Sequence, residues 1–121
     1  MKIQSKLGVT IPLGYKVYRA LLSQTGTNAP TAIVLENTLG GIVTFSYVSP
    51  GLYNINSTGL FTLLKTFTTL SSGSIVNTGV HIKSHAVIVT DSIGQILTST
   101  DGSIATNGLL LFTPIEIIVY N

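Results

Sequence analysis

Residues 15–53, YKVYRALLSQTGTNAPTAIVLENTLGGIVTFSYVSPGLY, decide the fold of this chain. The apolar runs in this stretch are separated by Pro30, by the glycine pair at 40–41 and by the proline-glycine pair at 50–51, and such residues interrupt strands and form turns. The pattern predicts strand, loop, strand, tight turn, strand and tight turn, with a fourth strand beginning at Leu52. The rest of the chain must close a sandwich over this unit.

The clearest hairpin in the sequence joins the strand at 42–48 to the strand that begins at Leu52. Apolar and polar residues alternate here, which is the pattern of a strand with one buried face. Proline followed by glycine fits the central positions of a type II turn, because Pro presets the first φ angle and Gly accepts the positive second one. The face expected to point to the core carries Val43, Phe45, Tyr47, Tyr53 and Ile55, while Thr44 and Ser46 are expected to face water or a partner.

Further strands are expected in the C-terminal part of the chain. Residues 60–70 match a helix face at several positions, but their content of Thr and Phe favours a strand. Pro114 either divides the last apolar run into two strands or marks an edge position or a bulge. The remaining predicted strands lie within 85–90, 93–98 and 109–120.

About eight strands at spacings of roughly ten residues predict an all-β fold, a single antiparallel β-sandwich that is jelly-roll or immunoglobulin-like. Residues 14–121 are expected to form this sandwich, since 121 residues make one domain. Residues 1–13 carry apolar side chains at a spacing of two from Leu7 onward. This segment is expected to be an N-terminal arm or edge strand, lying on its own sheet or on the edge of a neighbour's sheet.

The chain is unusually poor in charge. Charged residues make up 8% of the sequence and apolar residues 45%, against about 25% charged in an average soluble domain. Ser, Thr, Asn and Gly must supply solubility, and a weakly charged surface of this kind suits packing against copies of itself. Between Asn37 and Leu64 there is no Asp, Glu, Lys or Arg. This region is expected to be covered by a neighbour or to form a Thr- and Ser-coated sheet.

Several classes of partner and compartment are disfavoured. The six Lys and Arg residues are scattered, so the sequence offers no basic stripe for phosphate and argues against a nucleic-acid partner. The lack of cysteine removes disulfides, thiolate metal ligands and a cysteine nucleophile. No apolar run approaches the ~20 residues needed to span a bilayer, and the N-terminus makes a poor signal peptide. The simplest expectation is a protein made in a cytoplasm and kept whole.

Groups for catalysis are sparse, and we expect no enzymatic activity, no cofactor and no metal site. His81 and His85 form the only ligand-like pair, but on a strand four residues span about 13 Å, too far for one metal ion. Glu116 is expected on an outer face or, if buried, beside Lys16, Arg19 or a backbone donor. No nucleophile elbow and no phosphate-binding glycine loop occurs. The four acids show no spacing typical of a paired acid and base: Glu36, Asp91, Asp101 and Glu116.

A sugar-binding module is the alternative that the residue types favour. Tyrosine rings stack on saccharides, and Asn and Thr side chains hydrogen-bond to them. However, the sequence has no Trp and no cluster of acids for calcium, and most of the tyrosines have a core or rim position available to them. The tyrosines concerned are Tyr15, Tyr18, Tyr47, Tyr53 and Tyr120.

Three segments resemble a family of small, mostly uncharacterised β-proteins encoded by bacteriophages and prophages of Bacteroidetes, including flavobacterial hosts. They are YKVYRALLSQTGTNAPTAIVLENTLGG at 15–41, SPGLY at 49–53 and IEIIVY at 115–120. The resemblance covers both ends of the expected sandwich, while residues 61–111 depart from it and residues 1–14 are not matched. The family brings no catalytic residues to carry over.

The resemblance implies a virion structural protein, made in the host cytoplasm and located in the virion as part of a capsid vertex or penton, a decoration, or a spike or fibre base. Such a protein would act through symmetric self-assembly, with other copies of itself and other virion proteins as partners. The alternative is a receptor or glycan-binding module of a phage fibre or spike that recognises a host-surface glycan. The candidate assembly contacts are Val9, Ile11, Thr44, Ser46, Ile115, Ile117, Ile118 and Tyr120.

Overall fold

The computed structural model describes residues 2–4, 10–12, 14–71, 83–100 and 104–121, and this part of the chain contains strands and turns but no helix. It therefore contains no helix of the length and apolar character needed to cross a membrane. In chain order the strands are β1 (Lys2–Gln4), β2 (Thr10–Pro12), β3 (Tyr15–Ser23), β4 (Thr31–Asn37), β5 (Thr44–Ser49), β6 (Leu52–Asn56), β7 (Thr66–Leu70), β8 (Lys83–Ile88), β9 (Ile93–Thr100), β10 (Ile104–Ala105) and β11 (Thr113–Tyr120).

Nine of these strands form two antiparallel sheets, which confirms the predicted all-β sandwich. The four-stranded sheet has the order β4-β3-β11-β7. In the five-stranded sheet β5 pairs with β6 and β6 with β9, while β8 and β10 both pair with β9. The edge strands of the two sheets are therefore β4 and β5 at one side of the sandwich, and β7 and β8 at the other.

The middle of the four-stranded sheet is the pair β3 and β11, whose register runs from Leu22 opposite Thr113 to Tyr15 opposite Tyr120. Successive side chains of a strand point to opposite faces. Ile115, Ile117 and Val119 therefore enter the core from β11, where they meet inward residues of β3 such as Leu22. Each buried aliphatic side chain of this size stabilises the fold by roughly 1.5–3 kcal/mol.

The five-stranded sheet contains the hairpin predicted around the proline-glycine pair. Phe45 lies opposite Ile55 and Tyr47 opposite Tyr53, and all four side chains belong to or pack against the core. Gly51 has a φ angle of 70°. A Cβ atom at this position would lie 2.3 Å from the Thr98 carbonyl oxygen, so the tight turn requires glycine.

Three local expectations are refined by the structure. The segment around Gly40-Gly41 carries the chain from β4 in one sheet to β5 in the other. Only 66–70 of the ambiguous 60–70 stretch is a strand, and the residues before it form turns, with Leu64 in a left-handed conformation. Residues 109–112 are irregular, so Pro114 lies near the start of β11, where a missing N–H is tolerated.

The N-terminal segment, predicted as an arm or edge strand, contains two short strands. β1 and β2 pair with each other as an antiparallel two-stranded sheet, with Ile3 opposite Ile11. Among the described residues, neither of these strands pairs with a strand of the two sandwich sheets.

Candidate functional site: the β4 edge and the outer face of its sheet

Potential metal ligands are not clustered among the described residues. Within 14–71, 83–100 and 104–121 there is no group of three or more His, Asp or Glu side chains that could hold a metal ion. His85 lies exposed on β8 and, with Lys83 and Leu97, lines an open depression of about 400 Å³. Its sequence companion His81 is outside the described residues. The described residues that line this depression include an imidazole and an ammonium group but no acid.

The acids Glu36 and Glu116 meet at one cation on the outer face of the four-stranded sheet. Arg19 lies opposite both of them in the strand registers, and its guanidinium donates to Glu116 at 2.6 Å and to Glu36 at 2.5 Å. The hydrogen bond to Glu116, followed by that to Glu36, raises the pKa of Arg19. Because both carboxylates bind the same guanidinium, this ion cluster links β3, β4 and β11. It is not a free acid-base pair.

Sequence reasoning missed the ion cluster. Arg19 is separated from Glu36 by 17 positions and from Glu116 by 97, so no local spacing indicated the contact. The only signal was the list of partners considered for Glu116, in which Arg19 was one candidate. Glu116 itself lies on the outer face, as expected for a charged residue within an apolar strand.

A second polar group, at the loop end of the sandwich, is structural. The buried Gln24 amide oxygen accepts from the Tyr53 hydroxyl at 2.8 Å and from the Gly108 N–H at 2.7 Å. The Asn107 amide donates to the Tyr47 hydroxyl at 3.1 Å, and its oxygen accepts from the Gly51 N–H at 2.9 Å. These bonds join loops that are distant in sequence, and they leave the Gln24 and Tyr53 side chains inaccessible to a ligand.

The tyrosines that suggested sugar binding separate into two groups. Tyr18 and Tyr53 are buried in the core, and burial raises the pKa of both hydroxyls. Tyr15 and Tyr120 lie on the outer face of the four-stranded sheet, with ring centroids 5.7 Å apart, and the exposed Phe67 ring meets Tyr120 edge-on at 5.8 Å. The result is an aromatic cluster whose rings are tilted against one another and form no common flat platform.

A run of three exposed aliphatic side chains lies on β4. Within the described residues this strand pairs with β3 on one side only, and its side chains Ile33, Val34 and Leu35 are 52%, 52% and 63% exposed. We call this strand, with its unpaired side and these three side chains, the β4 edge. A long apolar edge strand is an established site for pairing with another chain. Beside it, Leu21, Leu35 and Pro114 line a shallow depression of about 270 Å³.

The sequence signal for the β4 edge was the run TAIVL, which is rich in β-branched residues and lacks the alternation of a half-buried strand. A run of that kind is typical of a strand buried on both faces. In the folded chain this strand is at the edge, and both of its faces remain partly uncovered. The pattern therefore indicated burial that the single chain does not supply.

The predicted assembly contacts fall into different environments. Ile115 and Ile117 are a correction, because they are 2% and 0% exposed within the core of the chain and have no surface to offer a partner. Ile118 and Tyr120 lie on the outer face of the four-stranded sheet. The other four predicted contacts do not form a common surface in the described residues. Thr44 is exposed on β5, and the Ser46 hydroxyl accepts a hydrogen bond from Asn56 at 3.2 Å. The backbone of Ile11 lies in β2, and Val9 is outside the described residues.

Comparison with family models, with curated proteins and with solved structures found no match for this chain. The functional argument therefore depends on the chain's own surface.

Proposed function

We propose that this protein is a structural component of a bacteriophage particle that acts by symmetric self-assembly. The single observation that carries the self-assembly is the β4 edge, where three adjacent large aliphatic side chains are each about half exposed or more. Contiguous apolar surface is rare on soluble monomers and marks a site that another protein covers. The bacteriophage context is supported by the resemblance of the segments at 15–41, 49–53 and 115–120.

The charge distribution supports association with identical chains. Between Asn37 and Leu64 there is no charged residue, so strands β5 and β6 carry no charges that would repel a second copy. Glu36 at the β4 edge is countered by Arg19 of the same chain. Arg19 is shared with Glu116, so this cluster keeps one net negative charge, but residues 31–34 are uncharged and two copies can pair through them without placing like charges directly opposite each other.

Light scattering on the purified protein over a hundredfold range of concentration tests the proposal. We expect the mass to rise to a discrete multiple of the chain mass of 12.8 kDa. High salt should leave the oligomer intact or strengthen it, because apolar contacts are not screened. A protein that stays monomeric at every concentration and salt would contradict self-assembly.

A glycan-binding role is the second candidate, and the exposed aromatic cluster of Tyr15, Phe67 and Tyr120 is the observation that favours it. Calorimetry with purified host surface glycans tests it. Binding that is lost in Phe67→Ala and retained in the control Leu64→Ala would support this role. The tilt of the three rings, which leaves no flat stacking surface for a sugar, is the reason that self-assembly is preferred.

A further inference from the structure

The backbone of β4 has one bonded and one open side. β4 is the terminal strand of the order β4-β3-β11-β7, so among the strands that the structure describes it pairs with β3 alone. In an edge strand, alternate N–H and C=O groups point away from the sheet and can accept another strand. The β4 edge thus offers main-chain hydrogen bonds in addition to apolar side chains.

The side chains of β4 project on both faces of the sheet. Ile33 lies opposite Leu21 on the outer face, and Val34 lies opposite the buried Ala20 on the inner face. Val34 is nevertheless half exposed, because none of the described strands flanks it on the open side. A further strand at this position would cover both side chains at once, which docking on the outer face alone would not.

Most devices that protect edge strands are missing from β4. Its sequence, TAIVLEN, has no Lys and no Pro, and its single charge is held by Arg19. The one protective feature is the irregular register at Leu35, where an extra residue interrupts the ladder. Regular pairing is therefore available over residues 31–34.

We propose that two copies of this chain join through β4, pairing antiparallel about a two-fold axis close to Ile33. This inference rests on the self-assembly proposed above and names its interface. The axis places Ile33 beside the same residue of the second copy on the outer face, and Ala32 beside Val34 on the inner face. The two four-stranded sheets then form one continuous sheet of eight strands across the dimer.

A second copy fits this edge better than an unrelated charged peptide. Residues 31–35 carry no charge that would attract or orient such a peptide, whereas an identical strand matches the edge in length and apolar character. A two-fold axis also satisfies both open edges in a single contact, so the assembly closes at two copies through this surface.

Disulfide trapping tests the pairing directly, because the chain contains no cysteine. In Ile33→Cys, mild oxidation should produce a covalent dimer, since neighbouring residues of paired strands lie within the Cα separation of about 4.4–6.8 Å that a disulfide spans. The matched control is Phe67→Cys, on β7 of the same sheet and 66% exposed. It should remain monomeric on a denaturing gel after the same treatment.

Ile33→Lys provides a second, independent measurement. The axis would bring two ammonium groups together, and we expect the dissociation constant of the dimer to rise at least tenfold in sedimentation experiments, with Phe67→Lys as the control. Circular dichroism and thermal unfolding of the diluted variants establish that each is folded.

The outcomes separate the two proposals. If the wild-type chain forms oligomers but Ile33→Cys is not trapped and Ile33→Lys leaves the dissociation constant unchanged, pairing through β4 is overturned while self-assembly stands. If Phe67→Lys dissociates the oligomer and Ile33→Lys does not, the outer face is the interface. Capture of β4 by another protein in place of a second copy would also overturn the inference. A wild-type monomer under all conditions overturns both.

Discussion

In the part of the chain that the structure describes, the two sheets are joined by hydrogen bonds at the side where β7 faces β8, but not at the side where β4 and β5 are the edge strands. At the first side the Thr68 hydroxyl donates to the Ala86 carbonyl at 2.7 Å, and the Ser84 hydroxyl donates to the Ser71 carbonyl at 3.1 Å. At the second side, within the described residues, no hydrogen bond joins β4 to β5. We call these the closed side and the open side.

This difference shows how one fold can protect the edge strands at one side from pairing with another chain and leave the edge strands at the other side available for it. At the closed side, side-chain hydroxyls bind carbonyl groups of the facing strand, which leaves fewer free backbone groups for another chain. At the open side, the rings of Tyr18 and Phe45 pack against each other in the core, with centroids 6.5 Å apart. The outward side chains of β4 are consequently not needed to complete the core of the single chain.

The largest expected effect contrasts two isoleucines of the four-stranded sheet. Ile117→Ala removes a fully buried side chain and should lower the free energy of unfolding by about 2–5 kcal/mol. Ile33→Ala changes a half-exposed side chain at the open side and should alter it by less than about 0.5 kcal/mol. Urea unfolding at a dilution that keeps the chain monomeric measures both. A cost for Ile33→Ala equal to that of Ile117→Ala would show that the open side is part of the core.

A smaller effect contrasts two buried tyrosines. The Tyr53 hydroxyl donates to Gln24, and Tyr53→Phe should cost about 1 kcal/mol because that hydrogen bond is lost. Within the described residues the Tyr18 hydroxyl, near the open side, has no hydrogen-bond partner. Tyr18→Phe should therefore be neutral or stabilising. Chemical denaturation of the two variants at neutral pH measures both changes in the free energy of unfolding. Equal losses of stability would contradict the different hydrogen bonding of the two hydroxyls.

The same tyrosines give a pH dependence whose sign follows from their pKa values. Burial raises the pKa of both hydroxyls in the folded chain above the ordinary value of 10. The unfolded chain therefore releases these protons first, so its stability relative to the folded chain increases as pH rises above about 10. The free energy of unfolding should fall in that range and fall less steeply in the Tyr18→Phe, Tyr53→Phe double variant. An unchanged slope would contradict the burial of these hydroxyls.

The smallest expected effect concerns the closed side. Thr68→Val keeps the shape of the side chain but removes the hydrogen bond to Ala86, and should cost about 0.5–1.5 kcal/mol. The neighbouring Thr69 is exposed on the outer face and is the matched control, so Thr69→Val should be close to neutral. Thermal unfolding measures the pair. If Thr69→Val costs as much as Thr68→Val, the hydroxyl does not close this side.

The sequence predicted the parts of this architecture that depend on local pattern. Alternation along 42–48 placed Phe45 and Tyr47 on the core side, and the proline-glycine pair gave the turn at Gly51. The prediction was wrong for Ile115 and Ile117 as assembly contacts. A strand that is apolar on both faces does not indicate which face its own chain will cover.

The candidate site depended on topology, which local pattern does not contain. β4 is an edge strand because β11, from the far end of the chain, pairs with the other side of β3. The Arg19 contact with Glu116 arises from the same long-range pairing. The apolar run of β4 was visible in the sequence, but its exposure followed only from the order of the strands.

Hydrogen–deuterium exchange of the wild-type chain, at a concentration where it is monomeric and at one where it is assembled, tests the central claim most directly. Amide protection measures whether backbone groups are paired. We expect peptides covering 31–37 on the open side to gain protection on assembly, while peptides covering 83–88 on the closed side remain unchanged. Assembly that leaves exchange at 31–37 unaltered, or that protects only 83–88, would contradict the β4 edge as the interface.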